Sequence, residues 1–368
     1  MSTLNFTELK SSILKLHEQY ERYLPATFFS GGFVLDVLTL GEVDEISNIF
    51  VLSLYLILAV VILSLEVLGV NSLKTDLKWL QKSFTYREDA FHFCLGALLS
   101  AFTLFYFKSS SLANSFFFLG FMVIILLLNE IPRFQKFGMV IRSVLIMLAL
   151  ESYLILIIPT ALGQVSDLVF LLSITLSFCL SGLALWLLSK SLVETKLVLK
   201  NMFFPQIAVL ALFILLYWTK VLPPVPLSIK SIGIYHNVIK KDSEYYVLTE
   251  KPVWKFWHNG DQEFLARPGD KVYVAASVFS PAGFSGKVFL RFMQESRDGW
   301  ITSDRIPINI LGGRLGGFRG YAYKSNYNPG NWQVRVETAT GLEIGRINFE
   351  IKDDPATIEE RTFRQIKF

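Results

Sequence analysis

A series of long apolar runs between residues 26 and 222 restricts this chain more than any other feature. Six stand out, at roughly 46–69, 90–107, 115–129, 138–161, 167–188 and 202–222. A helix that crosses the hydrocarbon of a bilayer needs about 20 apolar residues, with a range near 17–25. The run at 115–129 is short, but its flanks extend it. A seventh segment, ATFFSGGFVLDVLTLG at 26–41, is weaker because it contains Gly31, Gly32 and Asp36. It reads as a tilted span, a re-entrant segment or a buried helix. Composition agrees with a membrane protein carrying an appended soluble part. Hydrophobic residues make up 52% and charged residues 18%, against about 25% charged in soluble globular chains. The same figures argue against disordered, collagen-like and disulfide-scaffold classes.

Loop charge gives these runs a direction. If all seven segments span, the N-terminus and the loops at 70–89, 130–137 and 189–201 share one side. They carry Lys10, Lys15, Arg22, Lys74, Lys78, Lys82, Arg87, Arg133, Lys136, Lys190, Lys196 and Lys200, whereas the opposite loops carry only Lys108. Cytoplasmic loops are enriched in Lys and Arg, so the expected topology is seven spans with the N-terminus inside and the C-terminus outside. Residues 1–25 lack the apolar core of a signal peptide. Phe6, Leu9, Ile13, Leu16, Tyr20 and Tyr23 recur at helical spacing, which predicts an amphipathic helix in the cytoplasmic interface.

Ionisable residues within the spans are the natural candidates for transport or catalysis, because charge is costly in lipid. Glu66, His92, Glu130 and Arg142 fall near helix ends, where long side chains reach the interface. Asp36 lies near the outer end of the first segment. Glu151 alone falls near the middle of its helix. Nine residues separate it from Arg142, which places the two on opposite faces. Glu151 reads either as a proton- or ion-coupling site or as a packing acid held protonated. Pro159 and Pro205 predict kinks. No internal repeat of the transporter kind is visible.

After Trp218, Thr219 and Lys220 comes PPVPLS (223–228), a short stiff linker. Beyond it the apolar period changes from helical to alternating. KVYVAASVF (271–279), GKVFLRF (286–292), NWQVRVET (331–338) and GRINFEIK (345–352) each place apolar residues at every second position, with Gly- and Pro-rich turns between them. Residues 229–352 are therefore expected to form an all-β antiparallel, immunoglobulin-like sandwich. The polar tail at 353–368 is expected to be a docking helix or a frayed end. Residues 1–222 hold 15 basic and 15 acidic residues and residues 223–368 hold 20 and 16. So small a surplus does not suit nucleic acid. Cys94 and Cys179 lie in apolar runs, so no disulfide is expected in the β part.

The stretch GGRLGGFRGYAYKSNYNPGNWQVRVETATGLEIGRINFEI (312–351), with LPPVPLSIKSIGIYHNV (222–238), resembles a family of bacterial multi-pass inner-membrane proteins whose C-terminal β domain is of unknown function. The resemblance covers 222–352 well and extends loosely to FFSGGFVLDVLTLG (28–41). It implies a Gram-negative inner membrane and a periplasmic β domain, and it brings no catalytic residues.

Within the β part, five glycines surround Arg314 and Arg319, followed by Tyr321 and Tyr323, with Trp300 expected nearby. Arginine forks suit carboxylate or phosphate and aromatic faces suit sugars, so a glycan or a lipid headgroup is one expectation. The plainer one is a glycine-permitted crossover leading into a strand. VWKFWH (253–258) is expected to pack on the core or the membrane surface. His236 and His258 lack metal-ligand spacing, no nucleophile elbow is present, and no cofactor or metal is expected. Three readings result. The first is a non-enzymatic anchor for a periplasmic recognition domain that meets an envelope component or partner protein. The second is a transporter or channel using Glu151. The third is a membrane-embedded enzyme on lipid-linked substrates using Asp36.

Overall fold

A computed structural model of the chain describes residues 40–69, 86–129, 138–190, 195–242, 244–311, 317–354 and 361–368. Six helices come first: α1 (Ile46–Val67), α2 (Arg87–Lys108), α3 (Leu112–Asn129), α4 (Met139–Leu162), α5 (Asp167–Lys190) and α6 (Thr195–Trp218). All but α3 are long and apolar enough to cross a membrane, and α3 offers the shorter stretch Ser115–Leu128. The expectation of seven spans is thus corrected to six helices among the described residues. The amphipathic helix at 1–25 and nearly all of the segment at 26–41, Asp36 included, lie outside them.

The helices pack through one continuous apolar core that includes Leu95, Leu98, Phe102, Met147 and Phe213. Gly163 caps α4 with φ of 64°, a left-handed conformation that glycine adopts without penalty. A Cβ there would also lie 2.5 Å from the carbonyl oxygen of Gly283. In α6, residues Leu199–Phe203 widen into a π-turn just before Pro205. The wider turn lets the chain continue past a ring that would clash with the carbonyl four residues back.

Eleven strands follow: β1 (Ser228–Tyr235), β2 (Asn237–Lys241), β3 (Glu244–Thr249), β4 (Glu263–Ala266), β5 (Val272–Phe279), β6 (Ser285–Ser296), β7 (Gly299–Leu311), β8 (Phe318–Lys324), β9 (Gly330–Thr338), β10 (Glu343–Asp353) and β11 (Arg364–Lys367). Sheets ordered β1-β5-β8 and β4-β10-β9-β6-β7 face each other across a core that includes Phe264, Leu290, Phe292, Trp332, Val334 and Val336. A third sheet, β11-β3-β2, packs outside the first through Tyr235, Val238, Val247 and Ala275. Two expectations change. The sandwich is not wholly antiparallel, since β4 joins β10 in parallel. The tail is neither helix nor frayed end over 364–367, because β11 pairs with β3 from Arg364–Thr249 to Lys367–Tyr246.

The β domain is seated directly on one end of the helices. Leu342 belongs to the helical core and Val165 packs against the sandwich core. The backbone N–H of Ala282 donates to Asp44 at 2.9 Å, and Lys230 pairs with Glu42 at 2.5 Å. Residues 40–45, 109–111 and 163–166 therefore share the end that meets the β domain, as the alternation of six helices requires.

Candidate functional sites

Serine in an apolar helix satisfies its hydroxyl by donating to a carbonyl one turn back. Ser173 does so to Val169 at 3.0 Å. Ser173, Ser177 and Ser181 recur every four residues, which sets them on one face of α5. That face meets α4 and α6. Ser177 donates to Oε1 of Glu151, Ser181 donates to Oε1 of Gln206, and Gln206 Nε2 donates to Ser143 Oγ at 2.9 Å. Glu151 is fully buried. Its Oε2 has no hydrogen-bond partner among the described residues. At the end of the bundle away from the β domain, Arg142 pairs with Glu66 and lies 5.7 Å above the ring of Phe91. Sequence reading found Glu151, Glu66 and Arg142 singly. It missed Gln206 and the serine row, although the four-residue spacing was visible.

In the β domain the expected surface divides. Arg314 lies outside the described residues. Arg319, on β8, is held by Glu244 of β3 at 2.7 Å, and Lys367 reaches the same carboxylate at 3.3 Å. These bonds hold Glu244 below the usual carboxylate range, first through the hydrogen bond from Arg319. Arg319 thus ties two sheets together. Tyr321 and Tyr323 follow it on the same face and join Tyr245 and Tyr273, with ring centroids 5.4–6.3 Å apart. Lys271 stands 4.6 Å over Tyr323. Trp300 is elsewhere. It is paired in register with Glu295 near the turn between β6 and β7.

That turn belongs to the end of the domain remote from the helices. β10 starts beside Leu342 and reaches Glu350, opposite Glu263 of β4, after eight residues, about 27 Å at strand rise. An open cleft of about 410 Å³ lies there, lined by Trp300, Glu295, Asn331 and Glu350 among others, and His258 brings the 253–258 segment to its rim. The segment does not pack on the core, one of the two places expected for it. Val253 is 76% exposed, Trp254 63%, Phe256 82% and Trp257 56%. The rings of Trp254, Phe256 and Trp257 touch one another instead, with centroids 5.1 and 5.7 Å apart.

Behind this tip sits a buried polar cluster. His236 stacks on Phe264 at 4.1 Å, and its Nε2 stands 3.3 Å from Glu250 and 3.9 Å from Asp261. Burial first, then the charge of Arg361, pushes His236 down to about 4. Burial pushes Asp261 up to about 6, against donation from Thr249 Oγ1 and the N–H groups of Lys251 and Glu250. Arg361 bonds Asp270 at 2.6 Å and anchors the segment that enters β11. No group of His, Cys, Asp and Glu among the described residues has the arrangement of a metal site.

On the outer face of the five-stranded sheet, register places four arginines in one row. Arg305 of β7 lies opposite Arg291 of β6, Arg291 opposite Arg335 of β9, and Arg335 opposite Arg346 of β10. Two buried carboxylates serve them. Glu337 takes Arg291 at 3.1 Å and Arg305 at 3.8 Å, and Glu343 takes Arg346 at 2.5 Å and Arg335 at 3.8 Å.

Residues 286–351 match a family model described as a protein of unknown function (DUF2914). No curated protein matches. Among solved structures, an immunoglobulin-like protein from Pseudomonas aeruginosa is 13% identical, covering 35% of this chain and 98% of its own, with a TM-score of 0.21. A β-glucosidase from Kluyveromyces marxianus is 11% identical over 28% of this chain and 14% of its own, with a TM-score of 0.18. An alkylpurine DNA glycosylase from Pseudomonas fluorescens is 12% identical over 85% of this chain and 99% of its own, with a TM-score of 0.19. Scores this low carry no argument about this chain, and the DUF2914 match covers only part of the β domain.

Proposed function

We propose that this chain is a non-enzymatic, multi-pass protein of a bacterial inner membrane that holds a periplasmic recognition domain for an envelope component or a partner protein. The observation that carries the reading is the aromatic tip at 253–257. Exposed apolar clusters on a water-facing domain mark interaction sites, and this one stands at the end farthest from the helices, beside the cleft that contains Trp300. The membrane setting is supported by the apolar helices and by the distribution of charge. Arg87, Lys190, Lys196 and Lys200 lie at or near the helix ends away from the β domain, while Lys108 and Lys220 lie at the end that meets it. That asymmetry supports an outer placement of the β domain.

A photo-crosslinking residue at Phe256, in the full chain in its native membrane, tests the reading. A discrete adduct from position 256 that is absent from position 287, an exposed site near the helices, is expected. Equal labelling from both positions removes the tip from recognition.

A second reading is favoured by a specific observation. Glu151, with one oxygen unpartnered, shares a polar seam with Ser177, and Gln206 extends the polar groups between α4, α5 and α6. Such a seam suits the coupling of a proton or ion to transport. Glu151→Gln then abolishes a flux measured in liposomes; a wild-type chain without proton or solute flux refutes this second reading.

A further inference from the structure

Like charges placed directly opposite one another on neighbouring strands repel. The row Arg305–Arg291–Arg335–Arg346 repeats that arrangement across four strands. Four cations against Glu337 and Glu343 leave a local surplus of two positive charges. Both carboxylates are nearly inaccessible, at 4% side-chain exposure, whereas the arginine side chains paired with them are 21–39% exposed. The pairs are therefore closed from below and the arginine row is open from outside. Each guanidinium carries five donors in a planar fork. Arg346 spends two on Glu343, and Arg305 places one terminal nitrogen on the carbonyls of Thr338 and Ala339, each at 3.2 Å. Donors remain for an external anion, and a tetrahedral phosphate matches two adjacent forks.

Position identifies the source of that phosphate. Arg346 is four residues along β10 from Leu342, which is embedded in the helical core, so the row stands about 13 Å from the end of the bundle at strand rise. The carbonyls held by Arg305 belong to the turn that contains Gly341, beside Lys220 at the end of α6. This is the level at which headgroups stand if the helices span a bilayer.

We infer that the arginine row on the outer face of the five-stranded sheet binds the phosphate of an anionic lipid headgroup in the leaflet from which the domain rises. The inference rests on the membrane placement proposed above, and not on the aromatic tip.

The test uses the full chain in nanodiscs of phosphatidylcholine, alone or with phosphatidylglycerol, and counts lipids retained on gentle release by native mass spectrometry. Preferential retention of phosphatidylglycerol is expected, falling about tenfold in Arg291→Gln/Arg335→Gln, the equivalent of about 1.4 kcal/mol. Arg335→Lys keeps the charge without the fork and is expected to fall between. Equal retention of both lipids by the wild-type chain overturns the inference, whether or not the double variant folds. Retention of inorganic phosphate as strong as that of the lipid overturns the lipid source. A chain that fails to enter nanodiscs at all refutes the membrane placement instead, which separates the two failures.

Discussion

Phe117 in the helical part and Phe256 in the β domain are both 82% exposed, yet their surroundings give the same number opposite meanings. Phe117 is one of many exposed apolar residues of the helices, Phe116, Ile124, Leu168 and Leu183 among them. On the account proposed here this whole surface faces lipid, where an exposed phenyl ring costs nothing. Phe256 belongs to a domain whose large apolar side chains outside the 253–257 tip are at most 57% exposed among the described residues, and whose outer faces carry ion pairs. There the exposed ring is the exception, and it is the exception that points to a partner. Polar groups show the converse. In the β domain charge lies on the outer faces, at the tail and in the cluster around His236 and Asp261, whereas in the bundle Glu151, Gln206 and their serine partners collect along one internal seam.

The comparison is sharpened most by substituting the two kinds of phenylalanine within the β domain. Phe292, fully buried in the sandwich, is expected to cost about 3–5 kcal/mol as Phe292→Ala. Phe256→Ala is expected to stay within about 0.5 kcal/mol. Chemical denaturation followed by near-ultraviolet circular dichroism measures both. A large loss from Phe256→Ala makes the tip a packing element.

The buried cluster behind the tip predicts opposing responses to pH. His236 is lowered from 6.5 to about 4 in the folded chain, so its contribution is lost as pH falls through that window. Asp261 is raised from 3.8 to about 6, so its contribution is lost as pH rises. Glu250 shifts in the same direction as Asp261, and Arg361, Asp270 and Asp354 are the charged groups that act on His236. In the wild type the two trends offset each other between about pH 4 and 6. Asp261→Asn is expected to lose about 2 kcal/mol on acidification across this range, and His236→Gln a similar amount on alkalinisation. Thermal midpoints at several pH values distinguish these slopes, and parallel slopes in the two variants contradict the pairing.

A smaller effect is expected at the far end of the bundle. Glu66→Gln leaves the guanidinium of Arg142 without its carboxylate, at about 1–3 kcal/mol, and adding Arg142→Met recovers most of the loss. Thermal unfolding of the single and double variants measures the coupling. Glu151→Gln is expected to change the stability of the bundle by under about 1 kcal/mol, because the amide keeps the volume and still accepts from Ser177. A much larger loss shows that the carboxylate itself holds the seam together.

How far the sequence revealed this fold depended on range. Apolar period alone located the runs at 46–69 and 167–188, which became helices Ile46–Val67 and Asp167–Lys190, and the alternation of Trp332, Val334 and Val336 named an inward face correctly. Pairings across distance were not legible. Arg319 meets Glu244 from 75 residues away, and nothing local marks that bond. Strand β7 carries polar residues at its start and became visible only as the partner of β6. The arginine row was half legible: Arg291, Arg335 and Arg346 each occupy an outward position in an alternating strand, but only register aligns them. For residues 253–257 composition left the core and the membrane surface as alternatives, and the segment between β3 and β4 does not enter the core.

The most direct test of the central claim compares positions 117 and 256 in one membrane. A spin label at each, in the full chain reconstituted into a bilayer, reports its accessibility to a lipid-soluble relaxant and to a water-soluble one. The account predicts that position 117 responds to the lipid-soluble agent and position 256 to the water-soluble agent. A label at 256 that responds like the one at 117 would place the tip in the bilayer and contradict a domain that presents it to a partner.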